Sequence, residues 1–111
     1  MSRAPAPRRG PRLTLWLSAD SRLAQRDLPG RRRLAAWIRA AIGARRGWFA
    51  LSLRLAGRRE ARALNRRFRG RDYAPNVLAF PAGPGPARPR PLGDLLLCLP
   101  VARAEARAQG K

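Results

Sequence analysis

Apolar residues recur along the chain with two different periods. Leu13, Leu15, Leu17 and Ala19 alternate with Thr14, Trp16 and Ser18, a period of two that predicts a strand ending near Asp20. Asp27 and Pro29 then supply a helix-start signal, and Leu34, Trp37, Ile38, Ala41 and Ile42 share one helical stripe that Gly43 terminates. The period of two returns in Phe49, Leu51, Leu53 and Leu55 and closes at Gly57. A second helix is predicted from about Arg58 to Phe68, where Ala61, Leu64 and Phe68 fall at i, i+3 and i+7. Its other faces carry Arg58, Arg59, Arg62, Arg66 and Arg67 against a single Glu60, so its exposed side is expected to be cationic.

Asn76 to Phe80 reads as a short strand closed by Pro81, and Ala82 to Pro91 as a loop rich in proline and glycine. Gly93 to Leu99 is nearly continuous in apolar residues, as in a strand covered on both faces, and Val101 to Gln109 predicts a short third helix. The order β-α-β-α-β-β-α predicts an α+β fold, a single domain in which helices pack on a mixed β-sheet. Residues 13–111 form the domain, with the Pro/Gly loop at 82–91. Residues 1–12 hold four arginines, three prolines and no acid, and are expected to be a disordered basic lead-in because the prolines oppose a helix.

Charge adds a candidate partner. The 111 residues carry 25 Lys+Arg against 6 Asp+Glu, a net charge of +19, and the only lysine is Lys111, so the excess is guanidinium. Guanidinium pairs bidentately with phosphate and stacks on bases, which favours nucleic acid or an anionic membrane face over a cationic partner. A GC-rich genome accounts for the same excess of Arg, Ala, Pro and Gly without any function. No apolar run approaches the roughly 18 residues of a membrane span. Histidine is absent and cysteine occurs once, so these residues cannot build a multi-ligand zinc site or an intrachain disulfide. Cys98 lies in the run Leu95-Leu96-Leu97-Cys98-Leu99 and reads as a small buried hydrophobe in a reducing compartment.

Two segments look like more than fold-making. One is Leu64-Asn65-Arg66-Arg67-Phe68-Arg69-Gly70-Arg71-Asp72-Tyr73-Ala74-Pro75-Asn76-Val77-Leu78-Ala79-Phe80-Pro81; the other is Leu92-Gly93-Asp94-Leu95-Leu96-Leu97-Cys98, followed by Glu105 to Lys111. In this order and spacing they resemble the bacterial rRNA maturation factor family YbeY, zinc-dependent endoribonucleases, over roughly Leu13 to Lys111. Pro75 stands where the family has Thr, and Ala79 replaces the Ser of its Val-Leu-Ser-Phe-Pro motif.

The resemblance implies a zincin-like fold, cytoplasmic location, rRNA and ribosomal particles as partners, and hydrolysis of RNA phosphodiesters in 16S rRNA 3′-end processing and ribosome quality control. It also implies zinc, held in the family by histidines on a helix following the Gln-Gly-Lys region; these 111 residues contain no such ligands. The expectation is therefore the N-terminal portion of a catalytic domain, lacking the metal-binding helix and inactive alone. The alternative is a non-catalytic basic RNA- or ribosome-binding protein. Within the resemblance, Arg69 matches the family's groove arginine and is the candidate catalytic residue, while Arg66, Arg71 and Asn76 are candidate substrate-binding residues. Arg59 is expected on an outer helix face, Asp94 as a structural carboxylate, and Trp16, Trp37 and Trp48 in the core or at its margin. With the third helix short, Leu95 and Leu97 are expected to be exposed.

Overall fold

The computed structural model describes residues 12–83, 85–86 and 88–110. The lead-in predicted at 1–12 lies outside them except for Arg12, which opens the first strand. The elements are β1 (Arg12–Ala19), α1 (Arg31–Ile42), β2 (Trp48–Ala56), α2 (Arg58–Arg69), β3 (Val77–Pro81), β4 (Arg90–Cys98) and α3 (Leu99–Ala108), with a 3-10 turn at Gln25–Asp27. The β-α-β-α-β-β-α order read from periodicity is the order observed.

The strands form one sheet in the order β1-β2-β4-β3. β1 pairs parallel with β2 and β2 parallel with β4, while β3 runs antiparallel along the outer side of β4. Parallel neighbours need a crossover connection, which α1 provides between β1 and β2. Register then stacks the alternating leucines: Leu15 lies opposite Leu51, Leu17 opposite Leu53 and Leu53 opposite Leu95. On this face Leu15, Leu51, Leu53 and Leu55 pack with Leu34 of α1 and Leu99. The other face is a smaller core of Ala56, Leu78, Leu96 and Cys98 under Ala61 and Leu64 of α2. Cys98 is fully buried, as expected of a small hydrophobe. Arg54 and Glu60 close the rim between β2 and α2 with a two-pronged ion pair at 2.5 and 2.9 Å.

Several boundaries differ from the sequence expectation. Asp27 does not start α1: it lies in the 3-10 turn, where Arg103 of α3 pairs with it, and Gly30 occupies the N-cap. β4 begins at Arg90, inside the predicted loop. Its Pro91 is tolerated because it stands near the start of the strand, beside the register shift between its β2 partners Ala50 and Leu51. Leu99 belongs to α3 and not to the strand, with Pro100 in the first turn, where a missing N–H costs no helical bond.

The tryptophans also depart from expectation: Trp16, Trp37 and Trp48 are 57%, 56% and 42% exposed. On α1 the side facing the sheet is Leu34, Ala35 and Ile38, which rotates Trp37 to the flank. Trp16 points to the α2 side of the sheet, but α2 packs over β4 and leaves β1 uncovered among the described residues. Trp48 opens β2, its indole Nε1 donating to Thr14 Oγ1 at 2.7 Å. Leu95 and Leu97, expected to be exposed, are half-buried against the first core because they share the face of α1.

Candidate nucleic-acid interface

Helix α2 is the cationic element, and its ends fix where its charges act. It stops because Gly70 takes a left-handed conformation (φ 68°), letting the Gly70 and Arg71 amides cap the Arg66 and Asn65 carbonyls. A side chain at Gly70 would have open space but a disfavoured backbone. Gly70→Ala is therefore expected to cost about 1 kcal/mol, read as a lower urea midpoint at unchanged m-value.

From this terminus Arg69 reaches the edge strand. Its Nη2 donates to the Ala79 carbonyl at 2.7 Å, and its guanidinium lies 5.3 Å from the centre of the Phe80 ring, which meets Phe68 edge-on. The contact is to backbone, so it survives the Ser-to-Ala departure at position 79. Asn76 sits immediately before β3. Its side-chain amide donates to Glu105 of α3 at 3.0 Å, and its carbonyl accepts the Cys98 amide at 2.8 Å. Arg69 thus reaches the middle of β3, and Asn76 anchors its start.

The other candidates separate from this pair. Arg66 faces a cleft between α2 and the segment following Gly70, together with Arg58, Arg59 and Arg62. Arg59, expected on an outer helix face, is one wall of that cleft. The Arg71 guanidinium beside the Tyr73 phenol draws its pKa below the usual tyrosine range. Asp94 is exposed, in a shallow depression beside Trp16, Ser52 and Arg54.

Sequence reasoning assigned no role to three residues that organise this end of the molecule. Asn65 is 2% exposed, and its side-chain amide donates to the Tyr73 carbonyl at 3.0 Å. Asp72 accepts from Arg62 at 2.8 and 3.1 Å, and Glu105 receives Asn76. A polar residue between Leu64 and the charged turn of an otherwise apolar stripe was the available signal for Asn65.

Arg62 holds the Asp72 carboxyl below the usual carboxylate range, chiefly through those hydrogen bonds. A carboxylate with a lowered folded pKa adds stability above its unfolded pKa, lost as pH falls through the folded value. The Arg62–Asp72 clamp is expected to stay closed at neutral pH and open only in acid. An NMR titration of the Asp72 carboxyl should show an apparent pKa below 3.8 that Arg62→Gln returns to the usual range.

The residues present offer few of the ligands that the zinc implied by the resemblance would need. The sequence has no histidine, Cys98 is sealed in the core, and among the described residues no three Cys, Asp or Glu side chains cluster. These residues do not fit a zinc site.

A mixed sheet with an antiparallel edge strand and an arginine-bearing helix beside it defines an α+β domain with a cationic margin. The fold is shared with a solution structure from Thermotoga maritima, at TM-score 0.57 and 18% identity, over 87% of this chain and 59% of that one. The model of the family described as Endoribonuclease YbeY matches residues 25–111. The chain is 47% identical over 89 residues to the Endoribonuclease YbeY of Alkalilimnicola ehrlichii, covering 76% of this chain and 54% of that protein. It is 45% identical over 107 residues to that of Bordetella pertussis, covering 87% and 65%. The chain belongs to the YbeY endoribonuclease family, and it spans 54 to 65% of the length of these curated relatives.

Proposed function

We propose that this chain is the RNA-holding part of an rRNA maturation endoribonuclease, acting in the cytoplasm on 16S rRNA 3′ ends and on ribosomal particles. The observation that carries the reading is Arg69, the arginine of the family's aromatic-Arg-Gly motif, laid against the edge strand of the matching motif. A guanidinium there has donors left for a phosphate, because the Ala79 carbonyl takes only one of its five N–H groups. Asn76 and Glu105 fix the start of β3, so a strand of RNA along this edge meets a rigid wall. Among the described residues no helix is long and apolar enough to cross a membrane.

Because the ligand set for zinc is missing, the 111 residues are proposed to bind RNA without cleaving it and to hold zinc no tighter than about 1 μM. Stoichiometric zinc after dialysis together with metal-dependent cleavage of an RNA spanning the 16S 3′ end would overturn this. Binding to single-stranded RNA is expected to fall with salt, with a slope of log K against log salt near −3.5 if about five phosphates are engaged. Arg69→Ala should weaken binding severalfold more than Arg33→Ala, which removes the same charge from α1. Equal losses, with unchanged circular dichroism, would reduce the arginines to a diffuse field and dismiss the edge-strand reading.

A further inference from the structure

We infer that the cleft between α2 and residues 72–74 is a second site, shaped to take one nucleotide of a single strand with its base against Tyr73 and its phosphate among Arg58, Arg59 and Arg66. The cleft has a volume of about 750 Å³, within the range of small-ligand sites. Its walls divide by chemistry. Four guanidiniums line it, while Tyr73, half exposed, contributes an aromatic face beside the small apolar surfaces of Ala63 and Ala74. An aromatic ring next to unpaired cations suits a nucleotide: the ring stacks on any base and the cations take the backbone.

The charge there is not spent internally. The carboxylate in the cleft, Asp72, is committed to Arg62 by both oxygens. Arg58, Arg59 and Arg66 have no ion-pair partner among the described residues. Arg58 and Arg59 also stand in the first turn of α2, where the helix dipole is positive and the Gly57 cap offers no side-chain bond. Two cations at a helix N-terminus oppose helix stability, and Glu60 in the same turn is committed to Arg54, so an anion received there would relieve a repulsion the fold leaves uncompensated.

The cleft is also held open in advance. Asn65 fixes the Tyr73 carbonyl, the Arg71 amide caps the Asn65 carbonyl, and Arg62 pins Asp72. A wall fixed at three points loses little freedom on binding. The cleft is distinct from the Arg69 contact, because Arg69 turns to β3 and does not line it. α2 has 12 residues, about 18 Å, so one single strand can occupy both positions. The inference rests on the RNA reading only for the identity of the polymer.

The test uses the 111-residue chain with fluorescein-labelled oligouridylate, and the same oligonucleotide carrying 5-iodouridine for photocrosslinking. Tyr73→Ala is expected to weaken binding about tenfold and Tyr73→Phe to leave it nearly unchanged, since stacking needs the ring and not the hydroxyl. The Tyr73 side chain is exposed and its carbonyl stays with Asn65, so circular dichroism should not change. The Arg58→Gln/Arg59→Gln pair should make the salt slope less steep by about 1.4. Crosslinks should map to Tyr73 and persist in Arg69→Ala. That persistence separates the two sites: an Arg69 variant without effect leaves the cleft standing, whereas an intact Arg69 effect with no loss in Tyr73→Ala and no crosslink overturns the cleft alone. Polyglutamate binding as tightly as oligouridylate, indifferent to Tyr73→Ala, would show charge without a nucleotide site and also overturn it.

Discussion

Gly93→Ala is expected to detach β3 from the sheet and to lower stability by about 3 kcal/mol or more. Gly93 lies opposite Pro81 in the antiparallel pair and has φ +124°, a conformation that side-chain-bearing residues rarely adopt. A Cβ there would overlap the Phe80 carbonyl oxygen and fall 2.8 Å from both the Ala82 nitrogen and the Pro81 Cα. All three are backbone atoms, so no side chain can swing aside to relieve the clash. Gly83 is a useful contrast, because a Cβ there meets nothing within 4 Å. In urea titrations followed by tryptophan fluorescence, Gly83→Ala should match the parent while Gly93→Ala unfolds at much lower denaturant. Since Arg69 and Asn76 are both organised around β3, RNA binding through that edge should fall with it. An unchanged midpoint for Gly93→Ala would mean that β3 can shift away without cost.

Asn65→Ala should be nearly as damaging, at about 2–3 kcal/mol, by a different route. The substitution removes a buried donor and leaves the Tyr73 carbonyl without it, adding a small cavity to the lost hydrogen bond. Asn65→Asp keeps the shape but sets an acceptor against that carbonyl, and should be at least as costly. Both changes loosen residues 71–74 while sparing the Arg69–Ala79 contact. Crosslinking to Tyr73 should therefore decline more than the Arg69-dependent part of binding, measured where the variant remains folded. Equal decline of the two would show that the loop and the edge strand move as one unit.

The sites became visible at different stages for physical reasons. The segment Leu64 to Pro81 carried the family resemblance because its glycine, aromatic and arginine positions have fixed spacing, and Arg69 was legible there. That Arg69 would contact backbone, beside Phe80, was not, since the partner is 10 residues away across a turn. Arg66 was grouped with Arg69 by proximity in sequence; the helix places it in the cleft with Arg58, Arg59 and Arg62, one and two turns earlier.

Local periodicity by itself determined that strands and helices would form, roughly where, in what order, and that leucines would form a core. Those properties depend on a residue's near neighbours, which alternate across a strand or recur along a helix. Composition determined the charge and the absence of histidine. Only tertiary structure decided strand order, the exposure of the three tryptophans, the conversion of Leu99 from strand to helix, and the division of the arginines between an edge strand and a cleft. Each depends on which face meets which neighbour, and α2 covers β4 while leaving β1 open among the described residues. A pattern of apolar positions says that a face will be buried; the packing of elements distant in sequence selects the one that is.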